Sequence, residues 1–247
     1  MSAADAEDSP SGLARSYLLA VRREESVAAA ESALAGLDGD RLAASLADDA
    51  ARTAFWTNVY NAAVQARLRE DPRRLRGLST VRFFRRPAVT VAGHDLSPND
   101  IEHGLLRGSR LSVGLGYLPR PRPDAFERTH RVRDPDPRVH FALNCGAASC
   151  PAIAAYDAAA LDDQLRLATD AYLDGAVAYD PRADAVTVPR LFRWFRGDFG
   201  GLAGIWRLLD AHGALPPGAS AGSRLRYAPY DWSLDLGAFR ADDEACE

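Results

Sequence analysis

Between His140 and Pro151 the sequence reads HFALNCGAASCP, so twelve residues carry one imidazole, one side-chain amide, two thiols and a hydroxyl. No other window of the chain is as dense in groups that attack, accept protons or bind metal. Pro151 directly follows Cys150. A turn entering a helical segment with proline at its first position would leave free backbone N–H groups around Cys150 and favour thiolate over thiol. Cys150 is therefore the expected nucleophile and Cys145 its alternative. A thiol nucleophile needs a base, and the base needs a group to orient it. His140 and His103 are the candidate bases; Glu102 or Asn58 is the candidate orienting group. Asn58 or Asn61 could also donate to a developing oxyanion. Asn61, Asn144, Ser149 and Trp194 complete the set as candidate substrate contacts.

The same atoms have other uses. Free cysteines serve as small buried hydrophobes, and buried amides serve as hydrogen-bonding glue. Cys145, Cys150, His140, His103 and Glu102 include zinc donors, but Cys-x4-Cys has no second cysteine knuckle to complete it, and no metal is expected. The pair also lacks Cys-x-x-Cys redox spacing, although a disulfide between the two is sterically conceivable. A non-catalytic binding or interaction domain, or a Cys/His metal site, thus stands as the alternative to a thiol enzyme.

Composition narrows the rest. The chain has 247 residues, 47% hydrophobic and 26% charged, which suits one sizeable core. All 30 cationic residues are arginine, so Schiff-base chemistry and a phosphate-loop lysine are excluded. The formal charge of −4 gives no drive toward nucleic acid. Six arginines between 119 and 138 do not alter this, because Asp124, Glu127, Asp134 and Asp136 are interleaved with them. No stretch reaches the ~20 apolar residues of a membrane span, and the opening MSAADAEDSPSG is acidic where a signal peptide is cationic and then apolar. These features predict a cytoplasmic protein with a small-molecule or peptide substrate, no cofactor, no nucleic-acid partner and no membrane partner. They set no oligomeric state.

The elements that must position these residues follow from periodicity. One amphipathic helix is expected over 10–35, and a second over 41–69 with a break near Asp49. At 100° per residue, Asn58, Asn61 and Gln65 share one side of the latter and Trp56 and Tyr60 the other. A helix so apolar all round is expected to be buried. VRFF and VTVAG predict a strand pair, and LSPNDIEHGLLRG a short helix capped by Ser97. Residues 119–138, with five prolines, predict a long loop, and RVHFALNC a buried strand with His140, Ala142 and Asn144 on one face. A helix capped by Asp157 and ended by Gly175 comes next, then a hairpin of 177–179 with 185–188. LFRWF and LAGIWRLLDAHG predict two further helices. Phe192, Trp194, Phe195 and Phe199 read mainly as core, and Asp198 as a partner for an Arg or His.

Four segments together resemble the domain of unknown function 547 family: AFWTNVYNAAV, LSPNDIEHGLLRG, DPRVHFALNCGAASCPAIAAYDAAALDDQL and VTVPRLFRWFRGDFGG. The closing APYDWSLDL is similar to that family's end, with Asp235 where the family often has Asn. The resemblance implies that Asn58, Tyr60, Asn61, Asp100, Glu102, His103, His140, Cys145, Gly146, Ser149, Cys150 and Pro151 lie on recurring motifs, as do Phe192, Trp194 and Asp198. It implies no activity. The expected architecture is a helix-rich α+β single domain over 1–247 with a small antiparallel sheet, cysteine-peptidase-like or transglutaminase-like in logic. Within it, 1–49 form an N-terminal helical region, 50–235 the family-like core and 236–247 a tail.

Overall fold

The computed structural model describes residues 9–241. Cys246 lies outside them, as do the first eight residues. The chain folds as an α+β single domain built on one buried helix.

Helix α1 (Pro10–Arg22) is capped by Ser9, whose hydroxyl accepts from Gly12 N–H at 3.0 Å. The single helix expected over 10–35 is in fact two, because the chain turns through Glu24, at φ 57°, before α2 (Ala28–Ala35). Helix α3 (Gly39–Ser45) and helix α4 (Asp49–Glu70) reproduce the expected break near Asp49. Helix α4 is the axis of the molecule. From Arg52 to Ala66 every residue is buried, and the side-chain amides of Asn58, Asn61 and Gln65 hydrogen-bond to other parts of the chain. Tyr17, Leu18 and Val21 of α1 belong to the same core as Phe55, Trp56 and Val59 of α4.

A 3₁₀ turn (Pro72–Leu75) leads to α5 (Leu78–Phe84), so VRFF is helical rather than a strand. The hairpin instead pairs β1 (Val89–Val91) with β2 (His94–Leu96) across Ala92 and Gly93, both at positive φ. Local β-propensity in VRFF yields to a helix that buries only Phe83. The expected long loop over 119–138 contains α6 (Ala125–His130), capped by Asp124. RVHFALNC is no strand either: Pro137–Phe141 form a 3₁₀ helix begun by Asp136 and Pro137, and His140 and Asn144 share no strand face.

Asp157 caps a 3₁₀ turn that runs into α7 (Leu161–Leu173). Strands β3 (Ala178–Asp180) and β4 (Ala185–Val188) form the expected antiparallel hairpin. Strand β5 (Arg224–Tyr227) then adds parallel to β4, so this three-stranded sheet is mixed rather than wholly antiparallel. Helices α8 (Leu191–Trp194) and α9 (Gly201–Ala211) pack a second core of Phe141, Val186, Phe192, Phe199 and Ile205. Among the described residues no helix is long and apolar enough to cross a membrane.

Candidate functional site

A cavity of about 750 Å³ opens where the α4 core meets the α8 core. Its wall takes Tyr60 from α4, Glu102 and His103 from a π-helical segment (Asp100–Leu106), His140 from the 3₁₀ turn, and both Cys145 and Cys150. Trp194, Phe195, Tyr230 and Trp232 close the other side.

Cys150 sits in a turn, and no helix begins at Pro151, so the expected helix N-terminus is absent from the thiol. Its sulfur is polarised differently. Cys150 Sγ lies 2.7 Å from Cys145 Sγ, 3.2 Å from the Tyr230 hydroxyl and 3.0 Å from the Cys145 backbone N–H. Burial pushes the Cys150 thiol up, but the donors from Cys145, Tyr230 and nearby backbone outweigh it and leave its pKa below the usual value. Cys145 is the other half of the pair. Its hydrogen bond to Cys150, with burial, holds its thiol well above the ordinary range. Of the two, Cys150 is the sulfur that ionises more readily and Cys145 the one that keeps its proton.

The turn is fastened from below by α4. Asn61 Oδ1 accepts from Asn144 N–H at 2.8 Å, and Asn61 Nδ2 donates to Ala142 O at 2.9 Å. Asn144 Oδ1 accepts from Gln65 Nε2 and Gly146 N–H, while its Nδ2 donates to Pro151 O at 2.7 Å. From above, the closing segment runs beside the turn. Ala148 N–H donates to Ser233 O, Asp235 N–H to Gly146 O, and Asp231 N–H to Ser149 Oγ at 2.8 Å. These bonds set Tyr230 over the sulfurs.

The sequence candidates divide accordingly. Cys145, Cys150, His140, His103, Glu102 and Trp194 line the cavity. Asn58, Asn61, Asn144 and Ser149 do not; their side chains hold loops in place. Asn58 bonds both ways to the Tyr156 backbone, at 2.8 and 2.9 Å, so neither the orienting nor the oxyanion role is open to it as placed.

Neither sulfur has an imidazole among its hydrogen-bond partners within the described residues. The two histidines instead belong to a buried charge network. His140 Nε2 lies 2.9 Å from Asp198 Oδ2, and its ring stacks on Phe195 at 3.8 Å. Arg107, fully buried, grips the same carboxylate through Nε at 2.5 Å and Nη2 at 3.2 Å. Its Nη1 donates to His103 Nδ1 at 2.8 Å. Burial resists ionisation of Asp198, but His140 and Arg107 prevail and bring its pKa to about 2. Burial, with Arg107 beside it, lowers His103 to about 3, and burial lowers His140 against the pull of Asp198.

Both rings are thus neutral, and their tautomers follow from their partners. His140 spends its N–H on Asp198 and leaves Nδ1 as an acceptor. His103 accepts at Nδ1 and carries its proton on Nε2. Glu102 accepts from the Tyr60 hydroxyl at 3.3 Å. Burial raises its carboxyl to about 7, despite the nearby Arg107.

Four site residues were not among the sequence candidates: Asp198, Arg107, Tyr60 and Tyr230. Asp198 had a signal, as an acid expected to pair with Arg or His. Arg107 follows His103 by one helical turn. Tyr60 lies on a family motif, and Tyr230 on the closing segment that resembles the family's end. Among the described residues no group of three or more His, Cys, Asp or Glu is placed to hold a metal ion.

Fold and cavity together define an α+β protein with a polarised thiol pair, a carboxyl raised by burial to about 7 and two neutral imidazoles in one apolar hollow. The chain belongs to the family of proteins of unknown function DUF547, whose model matches residues 44–173, more than half of its length. That match includes Tyr60, Glu102, His103, Arg107, His140 and both thiols; Asp198, Trp194, Tyr230 and Trp232 come from beyond it. No curated protein and no solved structure matches the chain.

Proposed function

We propose that the protein is a thiol-dependent acyl-transfer or hydrolytic enzyme acting on an ester, thioester or amide of a small molecule or peptide. The observation that carries this reading is the Cys150 sulfur, set within hydrogen-bond reach of Cys145 and Tyr230 in the wall of a cavity large enough for a drug-sized ligand. The logic is that of papain-like and transglutaminase-like enzymes: a sulfur, an imidazole and a carboxylate that orients the imidazole. Here Asp198 takes the orienting role that the sequence assigned to Glu102 or Asn58.

In the first half-reaction Cys150 Sγ attacks the acyl carbonyl and forms a C–S bond. The bond from that carbon to the leaving oxygen, sulfur or nitrogen breaks, and the leaving atom takes the Glu102 proton. In the second, water attacks the thioester while His140 Nδ1 accepts its proton, and Asp198 stabilises the imidazolium. The C–S bond breaks to return the thiolate, and the proton passes through solvent to Glu102. The sum is RCO–X + H₂O → RCOOH + HX.

Intact-protein mass spectrometry after brief incubation with a p-nitrophenyl ester or an aryl thioester tests this. One acyl group should appear on Cys150, its release should track product, and Cys150→Ala should lose both. Equal, slow alkylation of every cysteine at neutral pH, with no acyl adduct, would overturn the reading in favour of a binding domain whose thiols are structural.

A further inference from the structure

Taking the cavity as the substrate site, we propose that its substrate is an anionic amphiphile: an alkyl or acyl chain inside the cavity and a phosphate or carboxylate head at the Arg85 rim. The interior supports the chain. Each polar side chain deep in the wall already has a protein partner: Glu102 has Tyr60, His103 has Arg107, His140 has Asp198, and the thiols have Tyr230. A peptide backbone would bring amides into a wall with few free partners for them, at a cost for each one left unbonded. A hydrocarbon chain needs none. Phe84, Leu143, Leu191 and Trp194 offer it apolar surface.

The rim supports the anion. Residues 72–94 contain six arginines and no Asp or Glu, in a chain whose net charge is −4. This stretch supplies Gly77, Thr80, Val81, Phe84 and Arg85 to the cavity wall. Arg73 and Arg74 pair with Asp71 and Glu70, so their charge is answered. The exposed Arg85, and Arg82 and Arg86 flanking it, have no side-chain partner among the described residues. A guanidinium free at the mouth of an apolar hollow matches an anionic head whose tail has entered the hollow.

Unreactive probes separate this from the catalytic reading. Calorimetry and Trp fluorescence, with Trp194 and Trp232 in the wall, should show octyl phosphate binding at least about ten-fold tighter than octanol at low salt. Affinity should rise about four-fold per added methylene across hexyl, heptyl and octyl phosphate. Arg85→Gln should remove most of the phosphate preference while octanol binding, which reports an intact cavity, stays unchanged. High salt should have the same effect. Equal affinity for octyl phosphate and octanol, or a preference that survives Arg85→Gln, overturns the proposal. So does binding confined to phosphatidylglycerol vesicles with none to the monomeric phosphate, which would make this face a bilayer-docking surface instead. Loss of acyl transfer in no cysteine variant would defeat the enzymatic reading and leave these binding results standing; the reverse outcome is equally distinguishable.

Discussion

Asp198 lies 2.9 Å from His140 Nε2 and holds the buried Arg107 through both carboxylate oxygens, so one side chain answers a fully buried cation and fixes an imidazole tautomer. Removing one charge from such a group leaves the other uncompensated. Asp198→Asn should lower unfolding stability by about 3 kcal/mol in denaturant titrations. It also frees His140 to adopt the other tautomer. Acyl-enzyme breakdown should therefore slow by about 100-fold, with alkylation of Cys150 much less affected because Asp198 does not touch the thiols. A variant that is destabilised yet hydrolyses its acyl-enzyme at the original rate would remove His140 from the mechanism.

Glu102 should leave a mark on the pH dependence of stability. Its carboxyl is raised from the usual 4.5 to about 7 by burial, so between these values the folded protein binds more protons than the unfolded chain. Its contribution is fully present below pH 4.5 and lost as pH rises through 7. The loss amounts to about 3 kcal/mol. Glu102→Gln, which keeps the shape and cannot ionise, should flatten the profile across that window and stand above the wild type at pH 8. Parallel profiles for the two proteins would show that Glu102 ionises normally in the fold.

The amides of α4 give the opposite kind of prediction. Asn58 satisfies both the N–H and the carbonyl of Tyr156. Asn58→Ala removes both of these buried hydrogen bonds and should cost about 3 kcal/mol. The alkylation rate of Cys150 in the folded variant should match wild type. A variant of normal stability with altered thiol reactivity would restore the orienting role to this amide.

The burial of α4 was legible because apolar residues surround its amide stripe, and the Ser97 cap because its Ser-x-x-Asp spacing is local: Ser97 Oγ accepts from Asp100 N–H, and Asp100 Oδ2 accepts from Ser97 N–H. The cavity residues grouped around His140, Cys145 and Cys150 were legible as reactive types. Their pairing was not. Tyr230 meets Cys150 across 80 residues and Asp198 meets His140 across 58, distances over which no periodicity carries information. VRFF and RVHFALNC misled in the same way. β-branched and aromatic residues raise strand propensity, but the Asp136–Pro137 start imposes a 3₁₀ turn at the latter, and tertiary burial of Phe83 suffices for a helix at the former.

How Asp198 reaches the site depends on two chain segments that nearly touch. Gly197 N–H donates to Leu115 O at 2.7 Å, and a Cβ at Gly197 would lie 2.6 Å from the Gly116 carbonyl carbon and 2.7 Å from Tyr117 N. Those neighbours are backbone and cannot swing aside, so the 112–118 loop must move or the turn bearing Asp198 must. Gly197→Ala should cost about 2 kcal/mol, as overpacking does. Because the displaced turn carries Asp198, the cost should overlap with that of losing the carboxylate, and the Gly197→Ala/Asp198→Asn double variant should be less destabilised than the sum of the singles. Gly39→Ala is the control: nothing lies within 4 Å of its added Cβ, and it opens α3, so its stability should stay within about 0.5 kcal/mol of wild type or rise. Strict additivity of Gly197→Ala with Asp198→Asn would mean that the loop yields alone, leaving the carboxylate where it is.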